Sequence, residues 1–248
     1  MNLRRCFALL QLLFPLAAAC TALSQETITL RDGQVQPVHI LGMTSSGLNV
    51  QIGQAEMVEP FGNFTAVSMT PPPEFVAAQA AYESGDLQQA LTLDSSVVTN
   101  YRGLPTDWAR EAMQMLGDLY LALNQPAQAQ AAYKDYQQAY PGASPDEVAV
   151  GLAGVDLANN DPAAAGAKLA PILQHALQQR NPPPPVAELY GRAFFVSGKV
   201  KEHTGDLQGA LEDYLRAAAV FPEDRVAAAG AQAAADNLRK AHSNVTVP

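Results

Sequence analysis

Few residues in this chain have the type and spacing that chemistry requires. A nucleophile elbow G-x-S-x-G, a zinc helix H-E-x-x-H and a dinucleotide turn G-x-G-x-x-G are all missing from the sequence. Gly198-Lys199 has the Gly-Lys pair of a phosphate loop, but Ala193 stands where its first glycine belongs and Val200 where a magnesium-binding Ser or Thr belongs. His39, His175, His203 and His242 are scattered, with no second His or Cys at ligand spacing. Glu202-His203 with Asp206 is the one acid/base cluster. Adjacent helical residues diverge around the axis, so it reads as a solvated helix face. Asn63-Phe64-Thr65 and Asn244-Val245-Thr246 are glycosylation sequons on paper and are expected to be silent. The expectation is a protein without catalytic residues, metal or cofactor.

Composition narrows the partners. The 248 residues carry 15 Lys+Arg against 24 Asp+Glu, a net charge of -9, and 48% hydrophobic residues. That balance suits a globular core, and it disfavours nucleic acid, whose phosphates need clustered cations. Both cysteines, Cys6 and Cys20, fall in an opening stretch that places Arg4-Arg5 before an uncharged run from Cys6 to Leu23. This is the n-region and h-region of a secretory signal, expected over residues 1–24. Cutting before Gln25 removes two cations and no acid, leaving a mature chain more acidic by two charges and free of cysteine. A second reading takes Leu16-Ala17-Ala18-Ala19-Cys20 as a permissive lipobox in which Cys20 is acylated; only then is a membrane expected as partner.

The rest divides in two. Over residues 27–69, Ile28 and Leu30 alternate with polar neighbours, Asp32-Gly33 marks a hairpin before Val35, Val38 and Ile40, and Ser45-Ser46-Gly47 precedes the alternating Leu48 to Ile52. Met57 to Phe61 and Phe64 to Met69 follow, broken by Gly62-Asn63. These short strands predict a small antiparallel β module, similar to Sm-like small barrels. The prolines of the linker 70–73 end the strands. From residue 74 to 242 the periodicity is helical, closing with a capping helix from Glu223 to His242, and residues 243–248 are expected to be a disordered tail.

An internal repeat organises the helical part. Leu116-Gly117-x2-Tyr120-x8-Ala129-x3-Tyr133-x2-Tyr136-x4-Pro141 resembles the tetratricopeptide-repeat signature, with Met113 where the first aromatic usually stands. Small Gly117 and Ala129 let two antiparallel helices approach, the aromatics fill space against the next pair, and Pro141 stops the second helix. The same phase recurs at Ala78, Gly117, Ala153 and Gly198, and at Ala90, Ala129, Ala165 and Ala210. Turn residues fall in register at Gly85-Asp86, Asn124-Gln125, Asn160-Asp161 and Gly205-Asp206, while Tyr214 and Pro222 restore the signature in the last repeat. The steps are 39, 36 and 45 residues, the last holding Pro182 to Pro185, against a family period of about 34.

This resemblance implies a mainly α fold: an α-solenoid of about four antiparallel helix pairs plus a cap, preceded by the β module. It further implies an exported cell-envelope protein of a Gram-negative bacterium, periplasmic or an outer-membrane lipoprotein, acting as a non-enzymatic scaffold for another protein or peptide. An assembly or cell-division accessory role with acylated Cys20, and an accessory subunit that binds through the β module, stand as alternatives. In the family the first helix of each pair lines the concave face. Carrying those places over gives Phe75, Gln79 and Tyr82; Gln114, Asp118 and Leu121; Val150, Gly154 and Leu157; and Phe195, Lys199 and Glu202. The Lys and Asn quartet with which chaperone-binding relatives clamp a carboxylate is missing, because Gln114 and Asp118 occupy its places.

Overall fold

A computed structural model describes residues 26–243 and residue 245. The expected signal segment with Cys20, and most of the expected tail, lie outside the described residues. What is described is mainly helical, with a small antiparallel sheet region at its start.

Strands β1 (Thr27–Leu30), β2 (Val35–Pro37), β3 (His39–Met43), β4 (Gly47–Ile52), β5 (Ala55–Pro60) and β6 (Phe64–Ser68) form two antiparallel sheets, ordered β2-β1-β6 and β3-β4-β5. The stretch from Val35 to Ile40, expected to be one strand, divides at Val38. Pro37 has no N–H to continue a ladder, and the Val38 N–H turns to the Glu26 carbonyl at 2.9 Å. β2 therefore pairs with β1 while β3 pairs with β4. Alternation buries Ile28, Ile40, Leu48 and Val50 on one side.

Those side chains share one apolar core with the first helices, including Phe75, Ala78, Ala90, Val97 and Leu104. Trp108 fixes the junction: its indole N–H donates to the Met69 carbonyl at 3.0 Å, and its ring lies 5.9 Å from Phe75 and 5.2 Å from Tyr101.

The helices are α1 (Pro73–Ser84), α2 (Leu87–Tyr101), α3 (Asp107–Ala122), α4 (Pro126–Ala139), α5 (Pro145–Ala158), α6 (Pro162–Gln178), α7 (Pro184–Thr204), α8 (Leu207–Leu215) and α9 (Arg225–Ala241). A π-helical turn, Arg216–Val220, continues α8. Neighbours pack as pairs, α1 with α2, α3 with α4, α5 with α6 and α7 with α8. Each pair turns on a residue in the left-handed region: Gly85 (φ 84°), Asn124 (φ 57°), Asn160 (φ 64°) and Gly205 (φ 84°). The residue after each turn starts the second helix. Asp86, Asp161 and Asp206 accept from Gln89, Ala164 and Gly209 N–H at 3.2, 2.9 and 3.0 Å, and in the second pair Pro126 supplies the helix start.

The alanines Ala90, Ala129, Ala165 and Ala210 are fully buried. A Cβ at Gly117 would come 2.5 Å from the Tyr133 ring, and one at Gly198 would meet Tyr214. The glycines and aromatics therefore fit as matched shapes. In register with Tyr133 and Tyr214, the third pair has Leu169 and the first has Asp94. Pro141 and Pro222 sit just beyond their helix ends, and Pro184 opens α7. Tyr120 and Tyr136 pack in the core around Val148 and Val155.

Candidate binding concavity

The first helices of the pairs, α1, α3, α5 and α7, together with α9, face inward. Contacts run α3 to α5, α5 to α7 and α7 to α9, and α9 returns to touch α1. Arg225 at the start of α9 lies 3.9 Å from Glu83 near the end of α1. Small Gly151 and Gly154 on α5 let the neighbouring helices close over it: a Cβ at Gly154 would meet Leu121 of α3 at 2.8 Å. The inner face is consequently a short concavity drawn together at its ends.

A polar wall divides it. Arg192 of α7 reaches across α5 to α3, where its Nη2 donates to both Asp118 carboxylate oxygens at 2.8 and 2.6 Å, and its Nε is 3.7 Å from Asp224 before α9. The Tyr133 hydroxyl donates to the same Asp118 at 2.5 Å. Asp224 also accepts the Ala227 N–H at 2.8 Å, capping α9. Burial works against the Arg192 charge, but Asp118, Tyr133 and Asp224 more than offset it, so its pKa is raised. Helices α3, α7 and α9 are thus tied at one buried cation.

On one side of this wall lies an acidic compartment of about 380 Å³, with Gln79, Glu83, Glu111, Gln114, Glu188 and Glu223 on its lining. Burial raises the pKa of Glu111, Glu188 and Asp224; Gln79 opposes the rise at Glu111 by donating to it at 2.6 Å, and Arg192 opposes it at Asp224. Behind α1 and α3 sits Asp94, fully buried, with neither carboxylate oxygen hydrogen-bonded among the described residues. Burial, then the charges of Glu111 and Asp118, push its pKa up to about 8.

On the other side is a compartment of about 490 Å³ with a mostly apolar lining of Leu87, Leu121, Val150, Leu157, Phe195 and Val196, closed by Val226, Ala227 and Gly230. Lys199 stands among them, its Nζ 4.0 Å from the centre of the Phe195 ring.

The expected inner-face residues divide between the two sides. Gln79, Tyr82, Gln114 and Asp118 line the acidic side, while Leu121, Leu157, Phe195 and Lys199, with Val150 and Gly154, line the apolar side; Tyr82 and Asp118 border both. Phe75 does not reach the concavity: it is 1% exposed, because the strands cover that end of α1 and enclose it against Trp108. Glu202 lies beyond the rim on the last turn of the 21-residue α7, where it accepts from the Tyr214 hydroxyl at 2.5 Å.

Sequence reasoning passed over Glu111, Glu188, Arg192 and Asp224. A usable signal existed for two of them: Glu111 and Arg192 both stand six residues before the small residue of their helix, Gly117 and Gly198. The Glu202, His203 and Asp206 cluster is exposed, with Asp206 occupied as the cap of α8. His39 pairs with Glu26 at 3.0 Å on the surface. Among the described residues no group of three His, Cys, Asp or Glu is placed to hold a metal, and no helix is long and apolar enough to cross a membrane.

No family model, curated protein or solved structure matches the chain.

Proposed function

We propose that the chain is an exported α-solenoid of tetratricopeptide type that binds a segment of another protein in its concavity. The observation that carries this reading is that ten of the twelve inner-face residues chosen from repeat phase, those other than Phe75 and Glu202, line the two adjoining compartments. Four left-handed turns in register, followed by capped or proline-led helices, support the repeat architecture. Two compartments of opposite character suit a segment with apolar side chains at one end and a cation at the other, since a groove reads a bound segment through spaced anchors. The role is binding, with no reaction assigned. The opening Arg4-Arg5 and uncharged run support export to the cell envelope.

The test is comparative capture from the native cells. Wild type should retain a defined partner that is lost on Tyr82→Ala/Leu121→Ala/Phe195→Ala substitution, with helicity and midpoint of unfolding recorded for both. A folded triple variant that captures the same partner at the same level overturns the reading.

A further inference from the structure

We infer that the apolar compartment is a site for a small amphiphile, an acyl chain ending in a carboxylate, with Lys199 as the residue that receives the head group. This goes beyond the partner reading: it assigns the same apolar compartment a ligand of small-molecule size, whose binding is measured without any protein partner. At about 490 Å³ the compartment falls within the range of ligand pockets, roughly 300–1,000 Å³. Its walls come from four inner helices and the start of α9: Tyr82 from α1, Leu121 from α3, Leu157 from α5, Phe195 and Val196 from α7 and Val226 from α9. Packed helices supply these walls, so the space is formed before any ligand arrives.

The head group follows from an inventory of charge. Four charged residues border the compartment: Asp118, Arg192, Lys199 and Asp224. Asp118 is held by Arg192 and Tyr133, and Asp224 caps α9 while facing Arg192. Arg192 is consumed by both. Lys199 alone makes no ion pair among the described residues; its ammonium rests on the face of Phe195 at 4.0 Å, where an aromatic ring supports a cation without neutralising it. Lys199 is the one charged group of this lining without a contact ion pair, and such an ammonium at an apolar cavity fits one singly charged anion attached to a hydrocarbon. A cationic amphiphile would meet Lys199 with like charge, and a neutral one would leave the ammonium without a contact partner.

The experiment is calorimetric titration of the full chain with decanoate, octanoate, 1-decanol and decyltrimethylammonium, below their aggregation limits. Decanoate should bind at one site per chain, about tenfold more tightly than octanoate, as expected for two more buried methylenes. Lys199→Met should weaken decanoate at least tenfold while leaving decanol unchanged. Ala158→Phe, which fills the compartment from an exposed lining position, should weaken both. Unfolding midpoints of the two variants, both at exposed sites, report that the fold is kept. Failure of wild type to bind decanoate, equal binding by Lys199→Met, or tighter binding of decyltrimethylammonium overturns the assignment.

Discussion

The two compartments of the concavity are built by the same helices, yet one is acidic and the other apolar. Along α3 the inward residues run Glu111, Gln114, Asp118 and then Leu121; along α7 they run Glu188, Arg192 and then Phe195. The chemistry therefore changes along the helix axes, and it changes at Asp118 and Arg192 on both. The ion pair of buried Arg192 here acts as a partition, separating a polar half whose Glu83 and Glu111 are exposed from an apolar half that is shaped by packing. Asp94 sharpens the contrast, because it belongs to the acidic side without sharing its solvent. Another buried acid, Asp213, shows the alternative solution. Ser197 donates to it at 2.6 Å, and Lys201 and Arg216 pair with it at 2.7 and 3.0 Å. Asp94 has none of these.

Removing the partition has the largest expected effect. Arg192→Met leaves the half-buried Asp118 with Tyr133 as its remaining partner, and should cost about 2–4 kcal/mol of unfolding free energy in urea. A loss below about 1 kcal/mol would show that α3, α7 and α9 are held without the wall.

Next comes Asp94→Leu, which replaces an unpartnered buried carboxyl by a side chain of similar shape. Stability at pH 8 should rise by about 1–3 kcal/mol. The sign of the pH effect is fixed by the raised pKa. The folded state keeps a proton on Asp94 up to about pH 8, whereas an unfolded aspartate releases it near 3.8. The contribution is complete below 3.8, declines as pH rises, and is gone above about 8. Wild type should lose stability over that window, and the leucine variant should show a flatter profile; parallel profiles would refute the role of Asp94.

Tyr133→Phe removes one of the two partners of Asp118 and keeps the ring that fills the space against Gly117 and Gly151. About 1.5 kcal/mol is expected, measured by the same denaturation. Smallest is Ala158→Phe, an exposed substitution on the apolar side, which should leave stability within about 0.5 kcal/mol. A larger drop would mean that the compartment is too tightly closed to admit the ring.

Much of the architecture was legible because it is local. Gly or Asn followed by Asp or Gln marks each turn by backbone preference, and the four alanines and paired Gly/Tyr positions follow from close helix contact. The partition was not legible, since Arg192 and Asp118 are 74 residues apart and meet only because α5 carries Gly151 and Gly154 between them. Phe75 was misplaced for a related reason. Its phase points inward, but the strands share a core with α1, and nothing in the periodicity of α1 records that cover. The break at Val38 was readable in principle from Pro37, yet apolar alternation across it outweighed one missing donor.

The concavity as the partner-binding face is tested most directly by site-specific photocrosslinking in the native cells. A benzoylphenylalanine is placed at Gln79 on the acidic side, at Ala158 on the apolar side, and at exposed Lys134 on the outer helix α4. One partner band is expected from both inner positions and none from Lys134. A band from Lys134 with none from Gln79 or Ala158 would contradict it.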